Sequence, residues 1–222
     1  MHGGDGLVAA SAATVAPSLR DRAAPAAAHP TLFLRWLWFW ERAWSWLYTR
    51  LIRGSFASFG PRSKVFPPFR TAGTEAIHVG NEVWIAPGSW IQTVPEYAGV
   101  RHTPRLTIGD HCQIGRFVHI TAARSVTIGH SVLIADRVFI SDSNHGYADR
   151  ARPIFAQPLT DLGDVSIGDH TWLGENVCVL AGVRIGRHCV VGCNAVVTRD
   201  IPDYAIAVGI PARVVGRVGQ EA

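Results

Sequence analysis

Charge is scarce in this chain. Only 17% of its 222 residues are charged and 48% are apolar, which excludes a sequence disordered throughout and fits one ordinary domain with an appendage. Cysteine is scarce too. The four present (Cys112, Cys178, Cys189 and Cys193) form no C-x-x-C pair, so a dense disulfide scaffold is excluded and a reducing compartment is expected. No basic residue precedes Arg20, so the opening MHGGDGLVAA does not read as a secretory signal peptide. Residues 1–30, rich in Ala with Gly, Ser and Pro, lack apolar periodicity and read as a disordered tail.

Acidic residues are nearly missing from one stretch. Residues 31–70 hold Arg35, Arg42, Arg50, Arg53, Arg62, Lys64 and Arg70 against Glu41 alone, whereas the chain from Ala76 onward is close to neutral. The formal charge of +4 therefore sits in the N-terminal third, and without a basic face on the folded body no nucleic-acid partner is expected.

That basic stretch contains a Trp-rich run, LFLRWLWFWERAWSWLYTRLIR (32–53), free of Pro and Gly and ending at Gly54. It predicts a helix, within a segment 31–54. At 100° per residue, Arg35, Arg42, Thr49 and Arg53 fall on one line, and Phe33, Trp36, Trp40, Trp44, Leu47 and Leu51 form a wide apolar stripe opposite. Four Arg and one Glu in 22 residues disfavour a transmembrane span, since each costs roughly 2.5–3.5 kcal/mol at the membrane centre. Two readings remain: a helix lying on a membrane surface, or one packed by its apolar stripe on the body or a neighbouring subunit.

Beyond a linker at 55–76, a period of six appears. Ile167, Leu173, Val179, Ile185, Val191 and Val197 recur without a miss, and Thr171, Val177, Val183, Cys189 and Ala195 hold small or β-branched places four residues after an aliphatic one. The same phase runs through Ile108, Ile114 and Ile120, then Ile128, Ile134 and Ile140; Ile77 and Val83 begin a less regular coil. A period of six predicts short parallel strands wound as a three-sided solenoid over 77–200, with Gly, Asn or Asp taking unusual corner backbone and a closing segment at 201–222. Two stretches break the period, 93–105 and 143–164, and are expected to loop outward, where chemistry tends to sit.

Three motifs accompany the repeat: ISDSNHGY (140–147), TWLGENV (171–177), and VGCNAVVTRDIP continuing to GIPARVVG (191–216). With them, the sequence resembles the bacterial hexapeptide-repeat acyltransferases, in the sugar O-acetyltransferase branch that includes maltose, galactoside and nodulation-factor enzymes. The resemblance covers roughly 75–217. It implies a mainly β fold, a left-handed parallel β-helix, here with an N-terminal amphipathic helix. It also implies a homotrimer with active sites between subunits, acetyl-CoA or another acyl-CoA as co-substrate, and a carbohydrate acceptor; the Trp-rich segment 32–53, which the resemblance does not cover, adds the expectation of a cytoplasmic enzyme peripheral on the inner membrane face.

By the same resemblance His145 is the general base. An alcohol at neutral pH is a poor nucleophile and needs its proton removed. Asp142 is a candidate to orient the imidazole, with Ser143, Asn144 or a backbone carbonyl as alternatives. For the donor, the resemblance places Trp172 and Gly174 along the pantetheine channel, Gly192, Asn194 and Thr198 at close backbone approaches, and Arg199 and Arg213 at the phosphates. Plain corner geometry explains the two glycines equally well. Ala122 and Ala123 stand roughly where an acidic acceptor contact is expected, which favours a polysaccharide or lipid-linked glycan over a free small sugar. His170 and His188, one coil apart, read as stacked surface residues, and His111 as structural. Alternatives kept open are a serine acetyltransferase-like enzyme, a succinyl-CoA user with Arg150 and Arg152 at the acyl group, and a non-catalytic membrane-associated scaffold. A zinc hydratase of the carbonic anhydrase type ranks low. It calls for two histidines five apart, which this chain lacks, so no metal is expected.

Overall fold

The computed structural model describes residues 31–161 and 163–220; the expected tail at 1–30 lies outside the described residues. Two compact units divide the chain, 1–39 and 40–222. The described part of the first is the beginning of a helix, α1, that spans Leu32–Ile52. The second holds the rest of α1 and a left-handed parallel β-helix.

Three parallel sheets form the sides of the solenoid. Face one stacks Ser58–Phe59, Ile77–Val79, Arg105–Ile108, Ser125–Ile128, Val165–Ile167 and Arg184–Ile185. Face two stacks Lys64–Val65, Trp84–Ile85, Gln113–Ile114, Leu133–Ile134, Trp172–Leu173 and Val190–Val191, and is finished by Ala205–Val208 and the antiparallel Arg213–Arg217. Face three stacks Arg70–Ala72, Trp90–Thr93, His119–Ala122, Phe139–Ser141, Cys178–Val179 and Val196–Val197.

Register explains the period of six. Each aliphatic residue lies over its equivalent in the neighbouring coil, as in Ile85↔Ile114↔Ile134↔Leu173↔Val191, and all of these are buried. The small positions close the corners from inside: Thr171, Val177, Val183, Cys189 and Ala195 are buried as well. One bond in each coil then recurs at an outer corner. His111, Ser131, His170, His188 and Tyr204 all have φ between 52° and 62°, and each N–H donates to a carbonyl of the preceding coil. That bond offsets the cost of a left-handed residue that is not glycine.

Two expectations about the coil need correction. The glycine after the aliphatic residue does not take the left-handed backbone. It is required by closeness: a Cβ on Gly109 would lie 2.5 Å from the Gly129 carbonyl oxygen of the next coil. Residues 55–76 are not a linker but the first full coil, with Ser58↔His78, Val65↔Ile85 and Thr71↔Ile91 in parallel register. Its phase is hidden in sequence by Pro61, Pro67 and Pro68 and by the buried aromatics Phe56 and Phe66.

Within the second unit, α1 meets the first coil through its polar line. Thr49 Oγ1 accepts from the Val65 N–H at 2.9 Å and donates to the Ser45 carbonyl at 2.7 Å, and both Ser45 and Thr49 are buried. The apolar stripe does not pack inward: Trp40, Trp44, Leu47 and Leu51 are 41–72% exposed. No helix among the described residues is long and apolar enough to cross a membrane.

Candidate active site

The break in the period after Ser141 places His145. Residues Ser143–His145 leave the coil as a strand and pair antiparallel with Leu159–Asp161 of the returning arm, His145 opposite Leu159. A second excursion, Glu96–Tyr97 paired with Val100–Arg101, rises beside it. Between the two lies a cavity of about 610 Å³, floored by Trp90, His119 and Phe139 of face three and walled by Tyr97, Asn144 and His145. That volume is in the usual range for a small-molecule site.

Tyr97, which no sequence motif singles out, joins the two excursions. Its ring packs edge-on against His145 with centroids 5.2 Å apart, and its hydroxyl donates to the Phe155 carbonyl at 3.1 Å. Among the described residues no hydrogen bond to the His145 ring is found, so this ring contact and the strand pairing set its direction. The only advance signal was that residue 97 falls in a stretch breaking the repeat. Nothing in the spacing says that this stretch folds onto residue 145.

Asp142 does not serve the imidazole. It is fully buried, and its two oxygens accept from the Ala123 and Arg124 N–H groups at 2.8 Å each. The same device recurs along the solenoid, where Asp136, Asp169 and Asp203 accept from the Arg116, His130 and Arg187 amides. Asp142 is thus one more inter-coil cap, with both oxygens spent on backbone. Ala122 and Ala123 are also corrected: both are buried, and from their stretch it is His119 and Thr121 that reach the cavity. Alternation along the strand turns residues 119 and 121 outward and residue 122 inward.

The cavity floor is a column of planar groups. The Arg70 guanidinium lies 4.1 Å from the Trp90 ring, Trp90 stacks on His119 at 4.4 Å, and Phe139 meets His119 edge-on at 5.4 Å. Burial and then the Arg70 charge hold His119 below the usual histidine pKa, and its buried Nε2 has no hydrogen-bond partner among the described residues. A neutral imidazole results.

The expected donor residues lie apart from this cavity, on the C-terminal coils. Trp172 projects from face two, 46% exposed. Gly174 is tight against the next coil, a Cβ there lying 2.8 Å from the Cys193 N, whereas a Cβ on Gly192 would meet the Val208 side chain first, at 2.8 Å. Asn194 has φ 60° and donates its N–H to the Glu175 carbonyl, which accounts for the residue type by the corner. Thr198 and Arg199 are exposed just beyond Val196–Val197, and Arg213, also exposed, opens the last strand with its guanidinium on the Ala212 carbonyl. None of these seven lines the cavity that His145 lines. Arg152, considered for an acidic acyl group, donates instead to the Ala156 carbonyl within its own arm.

His130, His170 and His188 follow one another along the solenoid, with His130 edge-on to His170 at 4.5 Å and His170 tilted against His188 at 4.6 Å, and Tyr204 stacks on His188; His111 Nδ1 lies 3.3 Å from Glu82. Cys112 and Cys189 are buried thiols, Cys112 pushed up to about 11 chiefly by burial; Cys193 is exposed.

Comparison with known proteins bears on the repeat. Residues 164–199 match the family described as bacterial transferase hexapeptide (six repeats). The chain carries the hexapeptide repeat of that transferase family. It is 40% identical over 118 residues to the putative lipopolysaccharide biosynthesis O-acetyl transferase WbbJ of Escherichia coli, covering 50% of this chain and 60% of that protein. To the probable acetyltransferase Rv3034c of Mycobacterium tuberculosis it is 36% identical over 185 residues, 80% of this chain and 57% of that one. The chain thus spans somewhat over half the length of these curated relatives. Among solved structures, the N-acyltransferase AntD of Bacillus cereus, in complex with dTDP and 3-hydroxybutyryl-CoA, superposes with a TM-score of 0.65 at 18% identity, covering 77% of this chain and 87% of that one. At that identity the hexapeptide-repeat solenoid is what the two share.

Proposed function

We propose that this protein is an O-acyltransferase moving an acetyl group from acetyl-CoA to a hydroxyl of a saccharide, polysaccharide or lipid-linked glycan. The observation that carries this reading is His145, held without a carboxylate partner on the wall of a cavity floored by aromatic rings, on the arm that breaks the repeat. Relatives named as acetyltransferases support it. His145 takes the acceptor proton as the oxygen attacks the thioester carbonyl; when the tetrahedral intermediate collapses the C–S bond breaks, and the imidazolium returns the proton to the CoA thiolate. Trp90 offers a ring face of the kind that packs on the C–H face of a sugar.

Within one chain none of the donor residues lines the cavity that His145 lines, which favours a homotrimer in which Trp172, Arg199 and Arg213 of one subunit approach the cavity of the next. Sedimentation in solution tests the trimer. The outward Trp stripe of α1 favours a peripheral enzyme on the inner face of the cytoplasmic membrane, working on an acceptor presented there. Thiol release from acetyl-CoA in the presence of glycan acceptors tests the chemistry. His145→Ala is expected to lower turnover by roughly 10²–10⁴-fold, and full turnover in that variant overturns the mechanism.

A further inference from the structure

Where α1 ends on the first coil, a second cavity of about 430 Å³ opens, lined by Trp46, Arg50, Arg53, Arg62, Ser63 and Lys64 together with Thr49. Its hydroxyls are already used. Ser63 Oγ donates to the Gly80 carbonyl and accepts from the Val83 N–H, and Thr49 Oγ1 holds the Val65 N–H. What remains to meet a ligand is positive charge. Arg62 pairs with Glu82. Arg50, Arg53 and Lys64 have no carboxylate partner among the described residues, and Arg50 and Lys64 instead lie about 6 Å over indole rings, Trp46 and Trp84. Three cations that share one pocket without an acid repel one another, an arrangement relieved by an anion.

The pocket is continuous with an apolar surface. Trp46 is both its wall and 59% exposed, and on the adjoining side of the same helix Trp40, Trp44, Leu47 and Leu51 face outward. A free phosphate has no use for that surface, and a nucleic-acid backbone gains nothing from leucines. An anionic phospholipid uses both: its phosphate sits among the cations while indole and leucine side chains enter the boundary of the acyl chains.

We propose that this pocket is a head-group site for an anionic phospholipid, which makes α1 selective for negatively charged bilayers. The inference rests on the membrane-surface reading above and gives that surface its ligand. Flotation of the full chain with phosphatidylcholine vesicles, with and without phosphatidylglycerol, tests it. The wild type is expected to bind the phosphatidylglycerol vesicles more tightly, with a gain that falls as salt rises. Arg50→Gln/Arg53→Gln/Lys64→Gln is expected to lose roughly 10–100-fold of that binding, with its thermal unfolding and its turnover on a soluble acceptor unchanged. Trp40→Ala/Trp44→Ala is expected to weaken binding to both vesicle types. Equal binding of the triple variant and the wild type to phosphatidylglycerol vesicles overturns the pocket and leaves the membrane reading standing. Failure of the wild type to bind either vesicle overturns both, while thiol release still reports on acyl transfer separately. Binding of inorganic phosphate without any preference for anionic vesicles, if lost in the triple variant, reassigns the pocket to a soluble anion and overturns the lipid. A change of oligomeric state in the Trp variant without loss of vesicle binding gives the apolar face to a second copy of the chain, and also overturns it.

Discussion

The solenoid and α1 use the same side-chain types in opposite senses. In the coils, ladders of isoleucine, leucine and valine point inward, and buried polar side chains such as Thr171 and Asp142 bond to backbone between coils. In the part of α1 that meets the first coil, Ser45 and Thr49 are buried while Trp40, Trp44, Leu47 and Leu51 stand exposed. The difference teaches that apolar patterning locates a core only where a partner surface of the same chain exists. Each inner coil has such a partner above and below. The end of the solenoid offers α1 an unpaired backbone N–H at Val65, which a hydroxyl satisfies and a leucine does not.

The contrast breaks most visibly in stability. Ile134→Ala removes a buried side chain held between Ile114 and Leu173, so unfolding is expected to become easier by about 2–5 kcal/mol. Leu47→Ala, of similar chemistry on the exposed stripe, is expected to change stability by no more than about 0.5 kcal/mol. Denaturant titration of the two variants measures the difference; equal losses would mean that the stripe is covered within the chain.

Asp142 sharpens the same comparison inside the active-site region. Removing its carboxylate leaves two amides of the preceding coil without acceptors, so Asp142→Ala is expected to cost about 2–4 kcal/mol. If Asp142 acted through His145 instead, the loss would appear in turnover at full stability, with a shifted pH profile. Thermal unfolding beside thiol release separates the two.

How far the sequence went follows from what each feature depends on. The period of six was legible because identical neighbours stack on it, so every coil repeats the same inward residue. The coil at 58–72 was not, because its outer side meets α1 rather than another coil, and Phe56 takes part in a core that elsewhere is aliphatic while Phe66 stacks on Trp84. His145 could be picked out because its arm interrupts a regular pattern. The apposition of Tyr97 with it could not, since the two residues come from different excursions and meet only after the coils have stacked. Asp142, beside a histidine motif, invited a catalytic role; its place at a corner, shared with Asp136 and Asp169, decides for structure.

Smaller effects test how α1 is attached. Thr49→Val keeps the shape but strands the Val65 N–H, and is expected to cost about 1–2 kcal/mol. Thr49→Ser keeps the acceptor and should retain most of that stability. Were α1 held by its apolar residues, the two substitutions would rank the other way round, since valine is the more apolar.

The smallest expected effect concerns the cavity floor. His119 is held below its ordinary value of 6.5 by burial and by Arg70, so the folded protein binds fewer protons there than the unfolded chain does. Where the unfolded state binds more protons, stability rises with pH. The contribution of His119 is therefore intact above about pH 6.5 and is lost as pH falls through that value and then through the folded pKa. His119→Gln, which cannot take up a proton, should remove this part of the acid slope and leave the rest, which belongs to the other histidines and the carboxylates. The melting temperatures of wild type and variant should run parallel above neutrality and converge below pH 6. Divergence in the acid range, with the variant falling faster, would mean that the imidazole is protonated in the fold, and the Trp90–His119–Phe139 column would then have to be a charged floor rather than a neutral one.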